Sequence, residues 1–416
     1  MDFVKADWFP QRKLGIFVHY GLYSQQQRGE WSMMYELPPV AKYEKLAENF
    51  DPRDFDADAL AQIAKEAGAG YLVLTTRHHE GFSLYNTKVS DFNSVHYCGR
   101  DLVAEHVNAC RKHGLKAGLY YSLLDWRYRG YFNREKYPES FARMVQQAHD
   151  QVRELMTNYG KIDYLFFDGG WMSGDTTDYH IGTPFMKKIN ELWRADELRA
   201  MIQSLQPGIL TNDRSGHPGD VYTPEQETEA SADERYTEAC MTIGNRAGWG
   251  YIHNNPNMKS TCSVLEYMAE QLSFGGNFLL NVGPMPQGGL RDHEEQVLAE
   301  LGQWLRTNGE AVYGTTKAPF HPLSICGEFT AKPNTLYFHV LRWPHNGQIV
   351  ASRIYNKVTS VSLLDGGREL PFTQEENGRL IISELPILPP DIRNTVIKIR
   401  YTEEQLPFDK KTYGSL

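Results

Sequence analysis

The sequence predicts an α/β protein in two domains: a (β/α)8-like, TIM-type barrel over residues 1–318 and a C-terminal antiparallel β-sandwich over residues 319–416. The length of 416 residues exceeds one ordinary domain and suits a barrel with a smaller module. Up to about residue 315, short apolar strands alternate with amphipathic helices, which is the pattern of a parallel sheet. After about residue 318 the apolar residues recur with a period of two, as in antiparallel strands.

Seven barrel strands are predicted from runs of aliphatic and aromatic residues. These runs lack strict alternation, as expected for strands that are covered on both faces. They occupy residues 14–20, 71–77, 116–122, 164–168, 208–213, 238–243 and 277–282. A weaker apolar run predicts an eighth strand at residues 311–313.

The predicted helices between these strands carry apolar stripes with helical spacing, and each is followed by a glycine that can end it. In the first helix Leu60, Ile63 and Ala64 share the stripe, and Gly68 follows. The glycines that follow the later helices are Gly114, Gly160, Gly275 and Gly309. The order helix, glycine, strand repeats along the chain, which favours a (β/α) barrel.

The predicted sandwich contains five strands, at residues 335–341, 349–354, 360–364, 379–383 and 395–401. Asn346-Gly347 and Asn377-Gly378 are predicted to form tight hairpin turns, because both residue types accept a left-handed backbone. This part of the sequence contains no group of residues with catalytic chemistry. We therefore expect it to brace the barrel.

Composition and charge exclude several classes of partner. The net charge of −9 argues against nucleic acid, since a phosphate backbone needs a basic surface. No apolar stretch reaches the length of a membrane span, and the first residues lack the apolar core of a signal peptide. The five cysteines are scattered without a Cys-x-x-Cys pair, which indicates reduced thiols. We expect a cytoplasmic protein with no membrane or nucleic-acid partner, and a homo-oligomer is left open.

Polar and aromatic side chains follow the predicted ends of five barrel strands. In such a barrel the carboxyl ends of the strands meet on the catalytic face. One histidine there is more often structural, but five strands that end this way predict a pocket lined with hydrogen-bonding groups and aromatic rings. The residues are His19-Tyr20, Arg77-His78-His79-Glu80, Tyr120-Tyr121-Ser122 with Asp125-Trp126, Asp168, and Asn212-Asp213-Arg214.

One chemistry that fits such a pocket is metal binding by histidines and carboxylates. The first strand offers only His19, without the His-x-His pair that is usual in metal-dependent barrel hydrolases. His78 and His79 are adjacent, so on an extended backbone they are expected to point to opposite sides. We therefore predict no metal site and no cofactor, with a metal-dependent hydrolase kept as an alternative.

The other chemistry is glycoside hydrolysis, and Asp168 is the residue that favours it. The apolar run 164–167 ends in this carboxylate, and Gly-Gly-Trp follows at 169–171, so that the backbone turns away without covering the acid. Glycoside hydrolysis needs one ionised carboxylate, a second carboxyl group as acid, and polar groups for the hydroxyls. Asp168 suits the ionised role, and nearby arginine or histidine donors are expected to keep its pKa low.

Several motifs resemble those of the α-L-fucosidases of glycoside hydrolase family 29. The segment WFPQRKLGIFVHYG at residues 8–21 is similar to the family's W-F-x-x-x-K-F-G-I-F-I-H-W-G. RHHEGF at residues 77–82 is similar to K-H-H-D-G-F, and FFDG at residues 166–169 to W-F-D-G. Further matches follow in family order, and the resemblance covers about residues 8–315.

The resemblance implies a retaining exo-α-L-fucosidase that removes terminal fucosyl residues from fucosylated oligosaccharides or glycoconjugates by double displacement through a fucosyl-enzyme intermediate. Asp168 is the implied nucleophile. Trp249 is expected to face the C6 methyl group of fucose, since an aromatic surface there disfavours sugars that need a polar partner. The other implied sugar contacts are His19, Glu30, Trp31, His78, His79, Tyr121 and Arg214.

Two glutamates compete for the role of general acid/base, which the family supplies from a variable loop. Glu225 is predicted in the loop after the fifth strand, where it could reach a leaving-group oxygen. Glu238 opens the segment EACMTI at residues 238–243, which is similar to the family's E-x-C-M-T-I. A glutamate that enters a strand is more typical of a structural contact, so Glu225 is favoured and Glu238 is the alternative.

A competing interpretation from another class is a sugar-binding protein that kept the fold without catalysis. The presence of Asp168 together with several candidate acids argues against it. Fucose binding without hydrolysis would favour it.

Overall fold

The computed structural model describes residues 3–244 and 248–406. The two predicted domains begin and end in residues 1–2 and 407–416, which lie outside the described residues. The first part of the described chain forms an eight-stranded parallel sheet that curves into a barrel, which confirms the predicted fold class. Its strands are β1 Leu14–Val18, β2 Tyr71–Arg77, β3 Lys116–Ser122, β4 Tyr164–Asp168, β5 Leu210–Thr211, β6 Val221–Tyr222, β7 Tyr236–Thr242 and β8 Asn277–Val282.

Helices connect these strands and pack against their outer faces in one large apolar core. They are α1 Trp8–Arg12, α2 Ser32–Glu36, α3 Val40–Glu44, α4 Ala57–Glu66, α5 Ser94–Cys98, α6 Leu102–His113, α7 Arg129–Phe132, α8 Pro138–Asn158, α9 Pro184–Trp193, α10 Ala195–Leu205, α11 Thr261–Ser273 and α12 Asp292–Asn308. Short 3-10 segments cover Leu22–Gln26, Lys45–Asn49 and Gly309–Ala311. Gly309 does not turn the chain with a positive φ, because the helix continues into the last of these segments.

Closure of the barrel depends on two very short strands. The strands pair in the order β5-β4-β3-β2-β1-β8-β7-β6. A parallel bridge between Asn212, next to β5, and Val221 of β6 joins the two ends. The eighth strand predicted at residues 311–313 is wrong, since a 3-10 segment occupies Gly309–Ala311 and the additional strand is β6. Two residues are too few to show a period, so β6 could not be recognised from the sequence pattern.

Alternate residues of each strand face the barrel interior. In β4, Tyr164 and Phe166 belong to an interior aromatic cluster, whereas Leu165 and Phe167 belong to the core under the helices. Asp168 is the next residue in the inward series, at the carboxyl end of the strand. The strand period of two therefore directs this carboxylate to the open end of the barrel axis.

The second part of the chain forms two antiparallel sheets. Their strands are β9 Thr316–Lys317, β10 Gly327–Lys332, β11 Thr335–Val340, β12 Ile349–Ala351, β13 Asn356–Leu363, β14 Phe372–Gln374, β15 Leu380–Ile382 and β16 Thr395–Gln405. One sheet has the order β13-β16-β11-β10-β9 and the other β12-β15-β14. Side chains from both sheets share an apolar core, as a sandwich requires. The predicted sandwich is confirmed, although β9, β10 and β14 were missed.

The two predicted hairpin turns of this sandwich have different outcomes. Asn377-Gly378 joins β14 to β15, which pair as an antiparallel hairpin. The hairpin predicted at Asn346-Gly347 is wrong, because that turn connects β11 to β12 and these strands lie in different sheets. An Asn-Gly pair marks a tight turn, but it does not reveal whether the next strand pairs with the last one.

The antiparallel sheets contact the barrel through α12 and the segment that follows it. The Trp304 indole N–H donates to the carbonyl oxygen of Asn394 at 2.7 Å, and the Thr330 hydroxyl donates to that of Ala311 at 2.7 Å. The boundary at residue 318 stays a prediction, and β9 places residues 316 and 317 in the C-terminal sheet. The five cysteines are free thiols. Within residues 3–244 and 248–406, no helix has both the length and the apolar character needed to cross a membrane.

Candidate active site

A cavity of about 380 Å³ opens at the carboxyl ends of the barrel strands. Eight of the predicted site residues line it: His19, Trp31, His78, His79, Asp168, Arg214, Glu225 and Trp249. Five further residues line it. Tyr120 was predicted among the polar side chains at the strand ends, whereas Phe17, Phe166, Trp171 and Cys240 were not predicted as part of the site. The predicted residues Glu30, Tyr121 and Glu238 do not line it.

Asp168 ends β4 and lies at the base of this cavity, where it is 9% exposed. The Tyr120 hydroxyl donates to its Oδ2 at 2.9 Å, and Nη1 of Arg214 lies 3.5 Å from its Oδ1. Gly169 turns the chain away with a φ of 69°, and a Cβ there would lie 2.8 Å from the Ser122 hydroxyl oxygen. The tight turn that the two glycines predicted therefore leaves the carboxylate accessible from the cavity.

Burial raises the pKa of Asp168 above its ordinary value, although the Arg214 charge and the Tyr120 hydroxyl act in the opposite direction. The expectation that the donors keep this pKa low is wrong, because desolvation is the larger effect. Arg214 and Tyr120 instead limit the rise that burial alone would cause. Both donors are aimed at the charged form that a nucleophile needs.

Glu225 lies three residues after β6 and continues the pairing of that strand with β7. It forms a parallel bridge with Cys240, whose amide N–H donates to the carbonyl oxygen of Pro224 at 3.0 Å. The prediction that Glu225 belongs to a loop after the fifth strand is therefore wrong in position. Strand pairing fixes its backbone, while its side chain remains 44% exposed at the mouth of the cavity.

Two donors hold the Glu225 carboxylate beside Asp168. Nη1 of Arg214 lies 2.5 Å from Oε2 of Glu225, and the Trp249 indole N–H donates to Oε1 at 3.2 Å. The same Nη1 lies 3.5 Å from Oδ1 of Asp168, so these two carboxylate oxygens are at most about 6 Å apart, the sum of the two distances. Carboxyl groups of retaining glycosidases are roughly 5–5.5 Å apart and those of inverting ones roughly 6.5–9.5 Å. The pair therefore fits the retaining geometry.

Glu238 lies inside the barrel near the amino-terminal ends of the strands and is fully buried. The Tyr164 hydroxyl donates to its Oε1 at 3.0 Å, and the Tyr71 hydroxyl donates to its Oε2. Tyr164 begins β4 and Asp168 ends it, which separates the two by about 13 Å at roughly 3.3 Å per residue. This position argues against Glu238 as the acid/base.

We expect Glu238→Gln to reduce the loss of stability that accompanies a rise in pH. Burial raises the pKa of Glu238 from 4.5 to about 7, so the folded state holds its proton where the unfolded state has released it. The stability from this group is complete below pH 4.5 and is lost as the pH rises to about 7. Glutamine mimics the protonated acid and does not titrate. Between pH 5 and pH 8, the free energy of unfolding measured with urea should therefore fall by roughly 2–3 kcal/mol less in the variant than in the parent protein.

The exposed substitution Glu234→Gln serves as the control for charge removal and should leave that pH dependence unchanged. An equal loss of stability in Glu238→Gln and the parent would show that Glu238 is ionised in the folded protein.

His19 follows β1 and presents an acceptor nitrogen to the cavity. Asn281 donates through its amide nitrogen to the carbonyl oxygen of Trp249 at 2.7 Å, so its amide oxygen faces Nδ1 of His19 at 2.6 Å. Nδ1 therefore carries the proton and donates to Asn281. Burial lowers the pKa of His19 to about 3, which keeps the ring neutral and leaves Nε2 free to accept from a sugar hydroxyl.

His78 and His79 both line the cavity, with their ring centroids 4.0 Å apart. The prediction that they point to opposite sides is wrong, because β2 ends at Arg77 and the chain turns, with Gly81 donating its N–H to the carbonyl oxygen of His78. His79 lies between the Ser122 hydroxyl, at 2.7 Å from its Nδ1, and Asp168, at 3.6 Å from its Nε2. Burial lowers the pKa of both rings, so both are neutral hydrogen-bonding groups.

Tyr120, and not Tyr121, is the β3 tyrosine that faces the site. Tyr121 points away from the barrel axis, where its hydroxyl donates to Gln151 at 2.8 Å and accepts from Arg77 at 2.8 Å. The reason is strand alternation: Tyr120 pairs in register with Phe166, so it shares the inward face that Phe166 and Asp168 occupy. The motif match located the right segment, but the predicted contact Tyr121 lies outside the cavity that Tyr120 lines.

We expect Tyr120→Phe to lower kcat/KM by roughly ten- to hundredfold, because it removes a hydrogen bond to a charged group. The acid limb of the kcat/KM profile should also move to higher pH, since the Tyr120 hydroxyl lowers the pKa of Asp168. Tyr121→Phe is the matched control. It should cost about 1–2 kcal/mol of stability and leave the pH profile in place. Equal activity losses in both variants would contradict this assignment.

Glu30 lies one layer behind the cavity, in contrast to the predicted sugar contact. It is 1% exposed, and its Oε2 accepts from the backbone N–H groups of Trp249 at 3.0 Å and Gly250 at 2.8 Å. These bonds fix the segment that carries Trp249 into the cavity. The adjacent residue Trp31 does line the cavity, and its ring is parallel to that of Trp171 at 6.3 Å. The two indoles form an aromatic surface at the cavity mouth.

A metal would find three potential ligands in this cavity, since one atom each of His78, His79 and Asp168 lie within 4.8 Å of one another. The Arg214 guanidinium lies 3.5 Å from the same Asp168 carboxylate. A fixed positive charge at that distance repels a cation, so the surroundings fit a nucleophilic carboxylate better than a metal ligand.

The chain is similar to known proteins of one family. The family model described as alpha-L-fucosidase matches residues 4–310 of this chain. The chain belongs to the α-L-fucosidase family. Among relatives, it is 31% identical to the tissue alpha-L-fucosidase of Mus musculus, over 92% of this chain and 88% of that protein. The resemblance to glycoside hydrolase family 29 is thereby confirmed.

Solved structures of the α-L-fucosidase family have the same architecture. Alpha-L-fucosidase isoenzyme 1 from Paenibacillus thiaminolyticus is 33% identical and superposes with a TM-score of 0.84, over 95% of this chain and 98% of that one. A family 29 α-L-fucosidase from Bacteroides thetaiotaomicron is 25% identical, with a TM-score of 0.85 over 97% of this chain and 98% of that one. The latter is a trapped covalent intermediate, obtained with 2-fluoro-fucosyl fluoride and a glutamate-to-glutamine mutant.

Proposed function

We propose that this α-L-fucosidase removes terminal α-L-fucosyl residues from fucosylated oligosaccharides or glycoconjugates, with Asp168 as nucleophile and Glu225 as general acid/base. The observation that carries these assignments is the position of Arg214 between the two carboxylates, which keeps their nearest measured oxygens within about 6 Å. That upper limit is closer to the roughly 5–5.5 Å of retaining pairs than to the roughly 6.5–9.5 Å of inverting pairs, so it suits a double displacement. The trapped covalent intermediate of the Bacteroides thetaiotaomicron relative supports the same chemistry.

In the first step, an Asp168 oxygen attacks the anomeric carbon and forms an ester bond to it. The bond from that carbon to the aglycone oxygen breaks, and Glu225 gives its proton to the departing oxygen. Negative charge thus moves from Asp168 to Glu225. Arg214, at 3.5 Å from one carboxylate and 2.5 Å from the other, stabilises both ends of this transfer.

In the second step, ionised Glu225 takes a proton from water, and the water oxygen attacks the anomeric carbon from the side that the aglycone left. The ester bond breaks, Asp168 regains its charge, and fucose leaves with its original anomeric configuration. The partial exposure of the Glu225 side chain gives water access to this side.

Neutral histidines and aromatic rings are the groups we assign to binding of the fucosyl ring. His19, His78 and His79 each offer donor or acceptor nitrogens to sugar hydroxyls. Phe17, Phe166 and Trp249 supply apolar surface, and the Trp249 ring lies 5.1 Å from that of His19. An apolar surface beside hydroxyl-binding groups suits a sugar with a methyl group in place of a hydroxymethyl.

The test is hydrolysis of 4-nitrophenyl α-L-fucoside with the product anomer followed by proton NMR. We expect α-L-fucose to appear first and the β-anomer to follow by mutarotation. Labelling with 2-fluoro-fucosyl fluoride should add one fluorofucosyl group, which peptide mass spectrometry should locate on Asp168. Initial release of the β-anomer would contradict double displacement, and a label on another residue would contradict the nucleophile.

A metal-dependent hydrolase is the second candidate, because His78, His79 and Asp168 present ligand atoms within 4.8 Å of one another. The charge of Arg214 beside Asp168 disfavours it. We expect activity on the aryl fucoside to survive dialysis against EDTA. Loss of activity that zinc or another divalent cation restores would favour the metal-dependent mechanism.

For the remainder of the molecule, we propose that residues 319–416 form a separate domain whose role is to brace α12. The hydrogen bond from Trp304 to Asn394 supports this role. We also propose a reducing, cytoplasmic location, for which the five free thiols are the support.

A further inference from the structure

A second and larger cavity, of about 1090 Å³, adjoins the active site. It shares Trp171, Arg214 and Glu225 with the smaller one. In the proposed mechanism Glu225 protonates the leaving-group oxygen, so the group attached to that oxygen must extend past Glu225 into this space. We call it the leaving-group cavity.

The leaving-group cavity is lined by an excess of negative charge. Arg214 is the one lysine or arginine among the described residues that line it. Its acidic residues are Asp175, Asp178, Asp213, Glu225, Glu227 and Glu229, of which Glu225 carries a proton in the first step of the proposed mechanism. Aromatic rings complete the lining, with His180 stacked on Tyr222 at 5.7 Å, and these suit the apolar faces of sugar rings.

Nearby cations compensate only some of these charges. Lys188 lies 2.5 Å from Asp175, and Arg235 lies 3.6 Å from Asp213, each reaching from outside the lining. Asp178, Glu227 and Glu229 have no cationic group within 4.0 Å in the described part of the chain, and the one side-chain donor to Glu229 is the Tyr222 hydroxyl, at 2.6 Å. Asp213 is 1% exposed, and its Oδ2 is without a hydrogen-bond donor among the described residues.

We propose that the leaving-group cavity selects its substrates by charge: neutral or cationic leaving groups are accepted, and those with a carboxylate or sulfate are disfavoured. This inference rests on the proposed function, since it takes the cavity as the site of the leaving group. The carboxylates project a negative potential into a concave space, where an anion is repelled and a cation attracted. Neutral sugar leaving groups are therefore preferred over sugars that carry a carboxylate or sulfate.

The experiment compares three aryl α-L-fucosides of similar size, with 4-(carboxymethyl)phenyl, 4-(carbamoylmethyl)phenyl and 4-(2-aminoethyl)phenyl leaving groups. One methylene separates the carboxylate from the ring and two separate the ammonium group from it, which limits differences in leaving-group reactivity. At low ionic strength we expect kcat/KM for the anionic probe to be roughly tenfold below that for the neutral one, with the cationic probe highest. In 0.5 M salt the differences should fall to about threefold or less, because surface charges are screened.

The double variant D178N/E227Q should bring the anionic probe to within about threefold of the neutral one at low salt. Glu234→Gln is the control: it removes one negative charge from the segment that carries Glu227 but does not line the cavity, so the probe ratio should stay that of the parent. Equal kcat/KM for the anionic and neutral probes in the parent enzyme would overturn the charge selection while the proposed function stood. If none of the three probes is hydrolysed, the proposed function itself is overturned.

Discussion

Replacement of Asp168 by alanine is expected to lower kcat on 4-nitrophenyl α-L-fucoside by roughly ten-thousandfold or more, the scale of loss when a nucleophile is removed. The substitution leaves the cavity and its hydroxyl-binding groups in place but removes the atom that forms the ester. Azide should restore part of the activity by entering the space left by the side chain. The product should then be β-L-fucosyl azide, because the anion attacks from the side opposite the leaving group.

The matched control for this variant is Asp163→Asn, at the other end of the same strand. Asp163 precedes β4 and pairs with Lys116 at 3.1 Å, remote from the cavity. We expect it to retain activity within about twofold, since its contacts are structural. Near-normal turnover by folded Asp168→Ala, judged by an unchanged melting curve, would exclude Asp168 as the nucleophile.

The second large effect is expected from Glu225→Ala, and it should depend on the leaving group. For a fucosylated oligosaccharide, whose leaving group needs a proton, we expect kcat/KM to fall by roughly a hundred- to ten-thousandfold. For the nitrophenyl fucoside the first step needs little help from an acid, so its loss should be much smaller and the fucosyl-enzyme should accumulate. Azide should then release α-L-fucosyl azide, the opposite anomer to that formed by Asp168→Ala.

Glu238→Gln separates the two candidate acids. Because Glu238 lies among Tyr71 and Tyr164 inside the barrel, its neutral replacement should retain most of the activity on both substrates. Azide rescue in folded Glu238→Ala, together with normal hydrolysis of the oligosaccharide by Glu225→Ala, would reverse the assignment.

Much of the site could be predicted because its residues occupy the ends of long, strongly apolar strands. β2, β3, β4 and β8 have the predicted bounds, and Asp168 follows from the run that ends in it. The short strand β6 gave no comparable signal, since two residues carry no period, and β5 covers only two residues of the strand predicted at residues 208–213. The position of Glu225 was misjudged for this reason: without β6, a residue held by strand pairing resembles a loop residue.

Errors about side-chain direction had a related cause. Tyr121 was chosen over Tyr120, and His78 and His79 were expected to diverge, because both predictions used local extended geometry. The correct face of β3 follows only from its register with β4, in which Tyr120 lies opposite Phe166. The direction of the two histidines follows from the turn after Arg77, which ends the alternation at that residue. Hydrogen bonding decided the place of Glu30, which faces backbone N–H groups instead of the cavity.

By itself, the sequence determined the fold class, the family and the strand-end carboxylate, because each depends on patterns within contiguous segments. Only the tertiary structure decided how the functional groups combine. Arg214 reaches Asp168 and Glu225 from a different strand end, and the charge of the leaving-group cavity sums carboxylates from separate segments. Distances and electric fields depend on how the strands close into a barrel. That closure rests on β5 and β6, and the two residues of β6 were too few to leave a pattern in the sequence.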